Sequence, residues 1–203
     1  MKVCLSLIIG FSVLCTTAFG QSPGRENYVG IRAGYLRASS QFTLLPYKIQ
    51  QNNVAPRSSY YGGIFYHHNL TSWLAYRVEL NYQQKGQTRR NLDGSVADQR
   101  PFNYVGVTPL IGLTPLPGLG IFIGPEANVR MNRILTDDSY KAPPIEIGVS
   151  SRLTYRYKWA GLEVGYFQAF NSYSTLYLPE GQYNYKNYTW HIGLFFVPAK
   201  LKK

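Results

Sequence analysis

Residues 73–85, WLAYRVELNYQQK, separate with a period of two into chemically opposite faces. Leu74, Tyr76, Val78, Leu80 and Tyr82 fall on one face; Arg77, Glu79, Asn81, Gln83 and Lys85 fall on the other. Successive side chains of a strand point to opposite sides of its sheet, so this is strand patterning. Similar splits recur along the chain, and no segment carries the 3.6-residue period of an amphipathic helix able to cover so much apolar sheet. A closed barrel with its apolar face in lipid and a polar, charged interior accommodates both facts. Closure pairs every backbone group internally, which lipid requires.

The N-terminus has secretory anatomy. Lys2 is a basic start, residues 3–14 form an apolar run, and Ala18-Phe19-Gly20 is a small-x-small site. Residues 1–20 are therefore expected to be a signal peptide cleaved before Gln21, too short in its apolar part to cross a bilayer as a helix. A lipoprotein reading would use Cys15, but Ser12-Val13-Leu14 lacks both the upstream leucine and the small residue beside the cysteine. Both cysteines, Cys4 and Cys15, fall within this leader, which excludes disulfides, thiolate metal sites and a cysteine nucleophile from the remainder. The expected division is signal peptide 1–20, barrel 21–198 and basic tail 199–203. Lysine and arginine number 21 against 10 acids, a formal charge of +11. In an exported, tyrosine-rich chain this balance favours an anionic cell surface over nucleic acid.

Eight strands are predicted, at 28–38, 59–68, 73–85, 102–113, 118–131, 144–156, 161–170 and 187–197. Long connections (39–57, 86–101, 132–143, 171–186) alternate with short ones (69–72, 114–117, 157–160), and both termini share the side of the short turns. Even-stranded outer-membrane barrels have this asymmetry, with the longer loops outside the cell. The acids give an independent test. Asp93, Asp98, Asp137 and Asp138 fall in the long connections, whereas Glu79, Glu126, Glu146 and Glu163 fall in strands, each opposite an apolar face. Tyr76, Tyr82, Tyr155, Tyr166, Tyr188, Trp190 and Phe196 fall on outer faces, several near strand ends, where interfacial girdles belong. The fold class is thus an all-β, eight-stranded antiparallel up-and-down transmembrane barrel with a filled polar lumen.

Ordered blocks along the chain carry a resemblance. They are Tyr28-Val29-Gly30-Ile31-Arg32-Ala33-Gly34; Gly62-Gly63-Ile64-Phe65 running on to Glu79-Leu80-Asn81-Tyr82-Gln83-Gln84-Lys85-Gly86; Asn103-Tyr104-Val105 with Pro109-Leu110; Phe122-Ile123-Gly124-Pro125-Glu126; and Leu162-Glu163-Val164-Gly165-Tyr166. In this order the chain resembles the PorT-like family of small outer-membrane β-barrel proteins from Bacteroidota. The resemblance implies an outer-membrane location and no shared reaction; some relatives serve secretion or gliding machinery. One departure lies at the C-terminus, where Phe196 is followed by Val-Pro-Ala-Lys-Leu-Lys-Lys rather than ending the chain.

The inward set is expected to be Arg32, Arg77, Glu79, Glu126, Arg130, Glu146, Arg152, Arg156, Glu163 and His191. A binding site or proton-linked pore would use such residues, but eight strands leave room only for side chains, so a structural plug of paired charges is the reading. Some eight-stranded barrels modify lipids with a Ser, a His and an acid at the rim. Here no serine sits in a nucleophile context near His67, His68 or His191, and no catalytic, cofactor or metal residue is assigned. Adjacent His67 and His68 point to opposite faces, a poor metal pair. The external loops are the better functional candidates. Their contact residues are expected to be Arg89 and Arg90, for lipopolysaccharide or other outer-membrane lipids, and Tyr173, Tyr177, Tyr183 and Tyr185, for a protein partner. A secreted lipocalin-like carrier is the inverse alternative, requiring the Leu74, Tyr76, Val78 face to turn inward.

Overall fold

Alternation drives the backbone into ten strands in the computed structural model, which describes residues 27–45, 54–90, 96–132, 140–179 and 181–201. The leader expected at 1–20 lies outside the described residues. The strands are β1 (Asn27–Leu45), β2 (Val54–Asn69), β3 (Leu74–Arg90), β4 (Val96–Leu116), β5 (Leu119–Arg130), β6 (Tyr140–Lys141), β7 (Ile145–Tyr157), β8 (Ala160–Ala169), β9 (Ser174–Leu178) and β10 (Gly181–Leu201). Eight of them, all but β6 and β9, pair antiparallel in chain order, and β10 returns to β1 to close the barrel. Closure removes the edge that an open sheet would leave.

The register puts charge inside. Arg77, Glu79, Asn81, Gln83 and Lys85 are buried, while Val78, Leu80 and Tyr82 are exposed. This orientation overturns the carrier alternative. Outside, an aliphatic band including Ile31, Ile64, Leu80, Val107, Ile121, Leu153, Leu162 and Ile192 lies between two aromatic belts. At the short-turn end Trp159 stacks on Phe196 and Tyr66 meets Tyr76; at the other end Tyr60 stacks on Tyr82 and Tyr166 meets Trp190. Water would oppose so continuous an exposed apolar surface; a bilayer favours it.

Several strands outrun their expected bounds. β1 continues to Leu45, β3 to Arg90, and β4 begins at Val96, so much of the expected loops 39–57 and 86–101 is ladder. β10 spans Gly181–Leu201, taking in much of the expected loop 171–186 and the start of the expected tail, since Leu201 pairs with Asn27. Beyond the aromatic belt no lipid demands an apolar face, so polar sequence continues the pairing without the alternation that marks a buried strand. β9 pairs with the outer part of β10, and β6 with β9, widening this projecting sheet. The short connections tighten at residues 117–118 and 158–159. Gly118 has φ +81°, and a Cβ there would lie 2.3 Å from the Arg156 carbonyl oxygen.

Candidate functional site

The lumen is layered along the barrel axis. Tyr28, Phe65, Phe195 and Val197 form an apolar cluster at the short-turn end; Phe102, Tyr104 and Tyr173, with Tyr185 against them, form another at the far end. Charges occupy the space between. Glu163 on β8 receives Arg32 of β1 (Nη2 to Oε1, 2.6 Å) and Arg77 of β3 (Nη2 to Oε2, 3.1 Å). Glu79 pairs with Arg32, with Arg77 (Nε to Oε1, 2.8 Å) and with Arg152 (3.3 Å). Arg152 also reaches Glu126 at 3.3 Å, and Lys85 links Glu126 (3.7 Å) to Glu146 (2.6 Å). A single chain of ion pairs therefore runs through the wall-to-wall interior from Glu163 to Glu146.

Neutral groups complete the coordination. Tyr61 donates its hydroxyl proton to Glu163 (2.7 Å), Ser150 to Glu126 (2.6 Å), and the Asn187 amide to Glu146 (2.6 Å). Gln83 and Asn128 each donate to Glu126 at 2.9 Å. The cations also lie on rings: the Arg77 guanidinium carbon is 3.8 Å from the Phe65 ring centroid, and Lys85 Nζ is 3.8 Å from that of Phe167. Arg32, Arg77, Lys85 and Arg152 balance Glu79, Glu126, Glu146 and Glu163 one for one, so the network is neutral, although buried atoms such as Arg152 Nε make no hydrogen bond. It closes the lumen rather than offering a vacant charge to a solute.

Eight of the ten residues read as inward are buried here; His191 stands 3.2 Å from Arg32 Nη2 and packs on the Tyr61 ring. The other two lie apart from the charge network, at opposite ends. Arg130 is half-buried near the long-loop end, donating to the carbonyl oxygens of Ala142 and Tyr173. Arg156 is half-buried near the short turns, 4.5 Å from the Tyr28 ring centroid. Lys85 joins the network although the inward set omitted it; its parity with Arg77 and Glu79 was the available signal.

The loop residues divide. Tyr173 is not a surface contact: at 1 % exposure its side chain fills the barrel mouth, with its hydroxyl 2.9 Å from Ser40 Oγ and its ring against Phe102. The segment after β8 turns it inward, its backbone N–H donating to the Tyr185 carbonyl oxygen of β10. Tyr177 is exposed, and Tyr183 and Tyr185 are half-buried. Arg89 and Arg90 belong to β3 by backbone; their side chains lie outside the described residues. His67 Nε2 is 2.8 Å from Asn69 Oδ1 and its ring stacks on Tyr28, whereas His68 packs on Tyr76 of the outer face. Among the described residues no group of three His, Cys, Asp or Glu side chains is placed to hold a metal.

No family model and no curated protein sequence matches the chain. Solved structures do. The outer membrane protein OprG from Pseudomonas aeruginosa aligns over 90 % of this chain and 100 % of its own, at 13 % identity and a TM-score of 0.52. Neisserial surface protein A aligns over 84 % of this chain and 96 % of its own, at 12 % identity and TM-score 0.47. Ail, the attachment invasion locus protein of Yersinia pestis, aligns over 85 % and 99 %, at 11 % identity and TM-score 0.45. At such identities the likeness is one of fold, and the OprG alignment carries it: this chain is folded as a closed, eight-stranded antiparallel outer-membrane-type β-barrel.

Proposed function

We propose that the chain is an integral outer-membrane protein of PorT-like type, exported through a leader at 1–20, with a non-enzymatic structural or interaction role in the envelope. The observation that carries this reading is the inversion of the barrel: a neutralised charge network seals the inside while aliphatic side chains cover the outside. A sealed lumen makes solute passage a poor use of this fold and leaves the projecting β1, β10, β9 and β6 sheet as the working surface. That sheet presents Tyr177 to solvent and carries the half-buried Tyr183, a composition suited to contact with a protein partner. An accessory role in secretion or envelope assembly is what the PorT-like resemblance adds.

The test is twofold. Protein in washed outer membranes should stay in the pellet and migrate differently on a gel before and after boiling, as detergent-resistant barrels do. Replacing residues 174–186 by a short linker should preserve that shift and abolish co-purification of partners captured by amine-reactive cross-linking of intact cells. Loss of the protein to the wash, with no mobility shift, would overturn the membrane reading. An unchanged cross-linking pattern would overturn the role of the sheet.

A further inference from the structure

Outward-facing cations stand at the level of the aromatic belt and beyond it on the wall made by β1, β10 and β8. Arg37 is exposed and pairs across the ladder with Trp190, which pairs in turn with Tyr166 on β8. The Trp190 and Tyr166 rings meet at 4.6 Å, and the Tyr166 hydroxyl is 2.7 Å from Gln168 Oε1. Further from the membrane on the same face, Lys186 pairs with Gln41. Arg37 and Lys186 have no hydrogen-bond or ion-pair partner among the described residues. Nor is there an anion on the outer surface among the described side chains: each described carboxylate (Glu79, Glu126, Glu146 and Glu163) is buried in the lumen. The segregation is complete within those residues, acids inside and unpaired cations outside.

Resting on the membrane reading above, we propose that this wall binds a glycolipid of the outer leaflet carrying two separated phosphates, with Arg37 and Lys186 as the phosphate ligands. Arg37 lies one outward position beyond Tyr35 of the upper belt, the level at which lipid phosphates begin, and its planar fork matches a phosphate with two parallel hydrogen bonds. Arg37 and Lys186 are separated by about 13 Å along the ladder, four strand positions. A single phosphodiester does not span that distance; a sugar headgroup phosphorylated at both ends does. The Trp190–Tyr166 pair, its rings tilted at 50°, offers an aromatic contact beside Arg37 for the interfacial part of the lipid.

Native mass spectrometry of the detergent-solubilised protein offered diphosphoryl lipid A, monophosphoryl lipid A or phosphatidylglycerol tests the site. Retention of diphosphoryl lipid A should exceed that of phosphatidylglycerol at least tenfold, with the monophosphoryl form between them. The double substitution R37Q/K186Q should lower diphosphoryl lipid A retention at least tenfold, whereas K158Q, at the opposite end, should leave it unchanged. Equal retention of phosphatidylglycerol, or undiminished retention by the double variant, overturns the proposal. The boiling-dependent gel shift on the same samples separates the failures. A protein that shifts but retains no glycolipid refutes this site alone; a native protein with no shift refutes the membrane barrel, and the site with it.

Discussion

Glu79 touches three guanidinium groups, those of Arg32, Arg77 and Arg152, and so holds together cations that would otherwise repel. Removing one partner of a buried pair leaves the rest uncompensated, at about 3–5 kcal/mol. Glu79→Gln should destabilise the barrel by that amount, read from the denaturant midpoint of the vesicle-inserted protein followed by tryptophan fluorescence. Lys85 and Glu146 give the sharper case, since their contact at 2.6 Å is nearly dry. Lys85→Met and Glu146→Gln should each be costly alone, yet together recover most of the loss, a coupling above about 1 kcal/mol. A double variant whose cost equals the sum of the singles would show that the pair contributes nothing as a pair. Gly165 supports the same layer sterically: a Cβ there would lie 2.1 Å from His191 Nε2, so alanine must displace the ring. At this scale parity in the sequence told which residues face inward, but not which of them meet. Arg32 and Glu163 are 131 positions apart, and only the stagger of the closed barrel brings them together. Lys85 shows the same limit, since the surroundings that bind it to Glu126 and Glu146 come from β5 and β7.

Where a strand faces lipid, its apolar alternation announces it; where it continues into water, nothing in the side chains does. This explains why the membrane parts of β1, β3, β4 and β10 were legible and their outer parts read as loops. Leu45 pairs with Gln182, and Arg90 with Val96, through backbone groups alone as far as sequence pattern is concerned. Hydrogen exchange distinguishes ladder from loop directly. Amides across 182–185 should exchange at least tenfold more slowly than unstructured peptide, because β1 and β9 pair with both sides of this stretch. Exchange at the unstructured rate would remove the projecting sheet. Tyr173 belongs to this scale too. A tyrosine in a long, polar connection reads as a surface contact, and only the backbone bond from Tyr173 to Tyr185 of β10 sets its ring over Phe102. Since the ion-pair network lies beneath it, Tyr173→Ala should leave the protein non-conducting in planar bilayers; discrete conductance steps from that variant alone would show that the aromatic layer, and not the charges, seals the lumen.

The molecule as a whole inverts the usual placement of polarity, and its exterior is where that inversion can be measured against a soluble alternative. Leu80 is 50 % exposed in the middle of the aliphatic band, paired with Ile64 and Val107, and Gln84 lies on the same outward face beyond Tyr82, hydrogen-bonded to Asn103 and Arg57. On the surface of a water-soluble protein, arginine at either position would change stability by within about 0.5 kcal/mol. Against lipid the two positions separate, because the penalty for a charge depends on depth. Leu80→Arg should cost about 2–4 kcal/mol and Gln84→Arg about 0–1 kcal/mol. Reversible unfolding from phospholipid vesicles would read both. Equal and negligible costs would mean that the band faces water, and the sealed, charged interior would then need another cause. A depth-graded pair of costs would tie the two halves of the design together: with lipid outside, a charged side chain has nowhere to go but inward, and the stagger of eight strands then obliges the inward charges to neutralise one another. On that reasoning the plugged lumen follows from the apolar exterior, and the parts of the chain free to vary for function are those that project past the belts.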